Sequence, residues 1–163
     1  MSRWIAASSG RSGSGSSGGR GCAGSGGART GRSRSVNSYL LVFLGAGIGG
    51  SLRHAINLGC TRFCGPAFPW GTLTVNVLGS FVMGACAAWL ALKAGEEWSL
   101  PLRLFLTTGI LGGFTTFSAF SLDAVLLWER GETGTAVTYV AASVLLSLAG
   151  LVAGLALVRG ISA

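Results

Sequence analysis

The sequence predicts an all-α membrane protein of four transmembrane helices, the third broken at its centre, and three observations carry that prediction. Half of the 163 residues are hydrophobic and 10% are charged, with a mean hydropathy of +0.61, which leaves too few charges to coat a soluble domain of this size. Four apolar stretches, at about 39–59, 71–93, 102–128 and 134–158, each reach the roughly 20 residues needed to cross a hydrocarbon core. Within the third, the run Gly112-Gly113-Phe114-Thr115-Thr116-Phe117-Ser118-Ala119-Phe120 sets paired glycines and β-branched threonines where a continuous helix wants good helix formers.

Residues 1–38 read as a separate, disordered extension rich in Arg, Ser and Gly. They hold Arg3, Arg11, Arg20, Arg29, Arg32 and Arg34 and no acid, so nearly all of the net charge of +7 belongs to this segment; residues 39–163 carry six basic and five acidic groups. Large apolar side chains are too sparse here to offset chain entropy. The apolar middle and small-residue cleavage site of a signal peptide are missing, as is the adjacent Arg pair of twin-arginine export. An Arg/Ser/Gly arm can bind RNA or anionic lipid, but a solvated low-complexity extension is the plainer reading, and no nucleic-acid partner is expected. Translation from Val36 would leave the membrane domain, residues 39–160, by itself.

The spans account for nearly everything that follows. Their connections are short: Cys60 to Trp70 with Pro66 and Pro69, Ala94 to Pro101 with Glu96 and Glu97, and Glu129 to Thr133. No soluble catalytic domain fits in such loops. Trp70, Trp98 and Trp128 fall at span ends, where amphipathic rings prefer the headgroup level. Gly45, Gly47, Gly49 and Gly50 in the first span, Gly79 and Gly84 in the second, and Gly150 and Gly154 in the fourth imply close helix packing. Cys22, Cys60, Cys64 and Cys86 form no metal pattern beside the single histidine, His54; Cys60 and Cys64 are within reach of a loop disulfide, though reduced thiols are preferred.

Topology is nearly balanced once the extension is set aside. Lys93, Arg103 and Arg159 flank one side, and Arg62, Arg130 and the deeper Arg53 the other. A chain without a firm positive-inside bias can insert both ways up, and opposed copies can form an antiparallel, dual-topology dimer. The six arginines of the extension break the tie towards a cytoplasmic N-terminus, so a heterodimer with an oppositely oriented paralogue stands beside the homodimer.

Polar groups at membrane depth are costly unless they pair or line a path. The Asn76 carboxamide can donate to an anion or bond a neighbouring helix backbone. The 112–120 run reads as a helix break whose freed carbonyls suit a hard cation such as Na⁺, or else as a Gly/Thr packing face. Phe117 and Phe120, three apart, share a helix face and can serve as packing or offer positive ring edges to a small anion. Tyr139, Ser143 and Ser147 lie on one stripe of the fourth span, either bonded back to their own helix or forming a rail of donors. Arg53 can snorkel, pair with Asp123, or attract anions to a vestibule.

These residues include no paired carboxylates, no nucleophile with a base, no phosphate loop and no metal-ligand set, so an enzyme is not expected. Two non-enzyme rivals remain: a four-helix small multidrug or cation transporter, for which Asp123 is the sole intramembrane carboxylate, and a non-conducting partner subunit.

Three motifs taken together, Gly49-Gly50-Ser51-Leu52-Arg53-His54, Gly71-Thr72-Leu73-Thr74-Val75-Asn76-Val77-Leu78-Gly79-Ser80-Phe81 and Gly109-Ile110-Leu111 followed by the 112–120 run, give residues 39–160 a close resemblance to the Fluc/CrcB family of fluoride channels. The resemblance implies an antiparallel homodimer in the cell membrane, with two fluoride pathways and a central structural Na⁺ that is not transported. It would place the backbone carbonyls of Gly112 and Thr115 on that Na⁺. Fluoride would pass Asn76, Phe117 and Phe120, then the fourth-span track of Tyr139, Ser143 and Ser147, with Arg53 at the vestibule. The implied activity is passive efflux: HF enters as a neutral molecule, dissociates in the more alkaline interior, and the anion leaves down the membrane potential. His54 departs from the aromatic Tyr often found after that arginine, and the Arg-rich extension has no close family counterpart.

Overall fold

The computed structural model describes residues 28–93 and 99–162, with side chains from 37 to 93 and from 100 to 162. Over these residues the chain is helical: α1 (Ala28–Cys64), α2 (Trp70–Leu92), α3 (Ser99–Arg103), a π-helical segment (Leu104–Leu111), α4 (Gly112–Phe114), α5 (Phe117–Glu129) and α6 (Thr133–Ile161). Four stretches are long and apolar enough to cross a membrane, Asn37–Cys64, Trp70–Leu92, Leu100–Glu129 and Thr133–Ile161. These match the expected spans within a few residues at most ends. The N-terminal boundary differs: α1 starts at Ala28, ahead of position 39, so the last part of the expected extension continues the first helix. Once a helix is nucleated, each added residue gains a backbone bond, and Arg and Ser are tolerated in it. Residues 1–27, Glu96, Glu97 and Trp98 lie outside the described residues.

Loop chemistry sets the helix ends. Gly65 closes α1 in a left-handed conformation, φ +79°, and donates its N–H to the Thr61 carbonyl at 3.1 Å, after which Pro66 prevents continuation. Gly131, also at φ +79°, closes α5 with a pair of bonds: its N–H to the Trp128 carbonyl at 2.9 Å and that of Glu132 to the Leu127 carbonyl at 3.1 Å. That pairing is a Schellman motif, and it turns the chain directly into α6.

Packing is extensive between α2 and α6 and between α1 and the first half of the third span, and glycines make both approaches possible. A side chain on Gly84 would run into the backbone of Leu151, and one on Gly154 into that of Phe81. On the other seam, a side chain on Gly45 would meet the Gly109 Cα at 2.8 Å, and one on Gly113 the Ala46 Cα at 2.7 Å. Gly47, by contrast, faces open space. The interior is small, centred on Leu73, Leu127, Ala136 and Tyr139 with Phe68, Val77, Phe120 and Ala124 against it. In the first and fourth spans 11% of the most apolar window is buried within the protomer. Most of their apolar surface must therefore be covered by lipid or by another chain.

The third span is interrupted at its centre, as expected, but by a different residue pair from the one that catches the eye. Gly112 keeps helical angles, φ −65° and ψ −37°. Thr115 (φ −74°, ψ 157°) and Thr116 (φ −151°, ψ 116°) take the extended conformation instead, which β-branched residues favour. Of the paired glycines, Gly113 serves the contact with α1. Ahead of the break, the π-helical turns were not foreseen; they carry no Pro or Gly-pair signature, and Thr107 bonds back to the Arg103 carbonyl at 2.7 Å.

Candidate functional site

The break brings Asn76 and Thr116 together across 40 positions of sequence. Asn76, on α2, accepts the Thr116 N–H on Oδ1 at 2.9 Å and donates from Nδ2 to the Thr116 carbonyl at 3.1 Å. Of the two roles open to this carboxamide, the helix-backbone bond is therefore made, and one Nδ2 proton remains beyond it. Thr116 in turn caps α5: its Oγ1 accepts the Ala119 N–H at 3.2 Å and lies 3.2 Å from Ser118 Oγ. Thr115 is tied backwards, with its N–H and its hydroxyl both donated to the Leu111 carbonyl at 3.0 Å.

These bonds have a direct consequence for the carbonyls. In a continuous α-helix the Thr116 N–H would serve Gly112 and the Ala119 N–H would serve Thr115. Both donors are taken by side chains here, so the Gly112 and Thr115 oxygens are released from their helical partners. Gly112 lies exposed on the protomer surface. Freed carbonyls on a membrane-spanning segment fit a hard, oxygen-seeking monovalent cation.

Beside the break is a cavity of about 360 Å³, lined by Asn76, Thr116, Phe117, Phe120, Ser143 and Ser147 together with residues of α2 and α6. The hydroxyl oxygens of Ser143 and Ser147 are both buried and neither makes a well-aligned hydrogen bond, although that of Ser143 lies close to the Tyr139 hydroxyl. Such orphaned groups are costly in a low-dielectric interior and call for an occupant. No ionisable side chain lines the cavity. It can therefore offer dipoles and positive ring edges to a small anion without a full charge to hold it fast.

Phe117 and Phe120 form a tilted pair with centroids 5.5 Å apart, but their surroundings differ. Phe117 is 79% exposed. Phe120 is half-buried and sits 5.5 Å from the ring of Tyr139, which meets Phe68 edge-on at 5.6 Å. Tyr139 is fully buried and is not among the cavity's lining residues; it stands behind Phe120 and donates its hydroxyl to Asp123 Oδ2 at 3.3 Å. Asp123 faces a second cavity of about 320 Å³ at the α1–α2 loop, with Asn57, Thr72 and Arg130. The Arg53–Asp123 pairing considered above is not formed among the described residues. Arg53 is half-buried on α1 and does not line the Asn76 cavity. Cys60, Cys64 and Cys86 are free thiols.

Sequence reasoning missed Ser80 and Met83, which line the same cavity. Their signal was present: positions 76, 80 and 83 follow helical spacing and share a face of α2. Thr116 was read as part of a break and not as its clasp, since nothing local shows a bond to a residue 40 positions away.

The sequence has known relatives. Residues 40–155 match the family model described as CrcB-like protein, Camphor Resistance (CrcB). The chain is 56% identical over 122 residues to the fluoride-specific ion channel FluC 2 of Nitrobacter hamburgensis, covering 75% of this chain and 97% of that protein. It is 58% identical over 125 residues to the fluoride-specific ion channel FluC of Rhodopseudomonas palustris, covering 77% and 99% respectively. The Granulibacter bethesdensis protein of the same name is 58% identical over 124 residues, covering 75% and 94%. With four membrane-crossing helices and a family match across all of them, the chain is a multi-pass membrane protein of the CrcB family.

Proposed function

We infer that this chain is a fluoride-specific ion channel of the cell membrane, giving passive efflux of fluoride from the cytoplasm and so limiting its toxicity. The observation that carries the reading is the uncharged intramembrane cavity lined by two buried serine hydroxyls that make no well-aligned hydrogen bond within the protein. The naming of its relatives as fluoride-specific channels agrees with that chemistry.

Fluoride holds its hydration shell tightly, so a selective path has to replace that shell with donors at close quarters. Ser143, Ser147 and the spare Asn76 proton supply donors, and the edges of Phe117 and Phe120 supply positive electrostatic potential. Tyr139, behind Phe120, fixes that ring's position. An interior-negative potential drives the anion outward with about 2.3 kcal/mol per charge per 100 mV, so no pump is required. Arg53 remains a vestibule residue in this reading, placed apart from the cavity to attract anions towards it.

The release of the Gly112 and Thr115 carbonyls supports a structural Na⁺ at the break, held by these two oxygens from each of two subunits. When bound, its charge would offset the carbonyl dipoles and tie the two breaks together. The low internal burial of the first and fourth spans supports an antiparallel dimer, either of two copies or with an oppositely oriented paralogue; the Arg-rich N-terminal segment is the feature that favours the latter.

The multidrug-transporter alternative loses its main support, because Asp123 is engaged by Tyr139 and lies outside the serine cavity. The test is fluoride efflux from proteoliposomes with Ser143→Ala and Phe117→Ala compared against the parent chain. Loss of flux in both, in folded protein, is the expected result; unchanged flux in both would remove the cavity from the pathway.

A further inference from the structure

We propose that Asn76 and Thr116 are positioning residues for a cation: by taking up the two N–H groups that a continuous third span would return to Gly112 and Thr115, they keep those two carbonyl oxygens available. The proposal rests on the Na⁺ reading above and assigns the side chains that make the site, where that reading names its ligands.

Both diversions are made by side chains. The Thr116 N–H goes to Asn76 Oδ1 at 2.9 Å and the Ala119 N–H to Thr116 Oγ1 at 3.2 Å. Each belongs to the residue four positions after one of the two carbonyls, the donor that α-helical geometry would otherwise supply. Thr116 is 7% exposed, so water has little access to replace a lost partner. A buried N–H without an acceptor is expensive, and the nearest remedy is to return to the vacated helical carbonyl. Removing either diverting group therefore favours a more continuous helix with one cation ligand consumed by a protein donor. Asn76 adds a second restraint by donating to the Thr116 carbonyl at 3.1 Å, which fixes both ends of the residue where the chain changes direction. The Thr115 hydroxyl is already committed to the Leu111 carbonyl.

Asn76 on this view joins the anion cavity to the cation site. It lines the cavity and also holds the backbone beside the Gly112 and Thr115 carbonyls.

The test uses the full chain in detergent and reads the midpoint of the Na⁺-dependent rise in melting temperature, with choline chloride at equal ionic strength as control. Thr116→Val is the informative variant, because a β-branched residue suits the extended angles of this position while offering no acceptor to Ala119. Thr116→Ser is the rescue. Asn76→Asp retains an acceptor for the Thr116 N–H and serves should Asn76→Ala not fold. The expected result is a saturable, Na⁺-specific rise in the parent chain, a similar midpoint in Thr116→Ser, and a midpoint raised about tenfold or more in Thr116→Val and Asn76→Ala, the scale of one net hydrogen bond. No Na⁺-specific rise in the parent would reject the Na⁺ reading itself. A clear rise in the parent with an unchanged midpoint in Thr116→Val would leave that reading standing and overturn the positioning role.

Discussion

The carboxamide of Asn76 grips Thr116 at both of its backbone polar groups, accepting the N–H at 2.9 Å and donating to the carbonyl at 3.1 Å. Two membrane-spanning segments are thereby clasped where one of them is broken, and groups that would otherwise be stranded in a low-dielectric interior are satisfied.

Removing that clasp carries a stability cost separate from any effect on conduction. Asn76→Ala leaves two buried backbone groups without partners, at about 1–3 kcal/mol each. Thermal unfolding in detergent should show a clear fall in melting temperature. Asn76→Asp, which keeps an acceptor for the N–H, is expected to fall less.

Phe117 and Phe120 separate stability from flux. Phe117 is 79% exposed in the protomer, so Phe117→Ala should cost the protomer less than about 1 kcal/mol while reducing fluoride flux at least about tenfold. Phe120 packs against Tyr139, so Phe120→Ala should lower both flux and stability, the latter by about 2–4 kcal/mol. Equal stability losses in the two variants would count against the distinct environments.

Ser143 gives the opposite combination. Its hydroxyl is buried and makes no well-aligned hydrogen bond, so Ser143→Ala relieves a desolvated group and should leave stability unchanged or raise it by about 1 kcal/mol. Fluoride flux should nonetheless fall. A large loss of stability would mean that the hydroxyl is bonded within the protein after all.

The α2–α6 seam predicts a sharp contrast among glycines. Gly84→Val and Gly154→Val drive a side chain into facing backbone and should cost about 3 kcal/mol or more, seen as loss of monodisperse protein on size exclusion. Gly47→Ala, facing open space, should be recovered at parental yield with a small gain from replacing glycine in a helix.

Much of this was legible in the sequence because the bilayer imposes few and simple rules. Apolar runs near the hydrocarbon thickness gave the four spans, and the Gly-Gly-Phe-Thr-Thr run marked the interruption. The details that depend on distant partners were not legible. That the threonines and not the glycines leave the helix follows from Asn76 waiting on another span, and that Gly113 is small follows from Ala46 lying against it. Tyr139, Ser143 and Ser147 follow one another at helical spacing on α6, yet whether each member meets the cavity depends on Phe120, which packs against Tyr139. The start of α1 at Ala28 was missed because a composition rich in Gly, Ser and Arg argues against a packed core, not against extension of an established helix.

Fluoride efflux from proteoliposomes holding only this purified chain, followed with a fluoride electrode and with a K⁺ ionophore to release the membrane potential, is the decisive measurement. Rapid fluoride release with chloride retained in parallel vesicles is expected. Chloride release as fast as that of fluoride, or no fluoride release from folded protein either alone or together with an oppositely oriented family member, would overturn the channel reading.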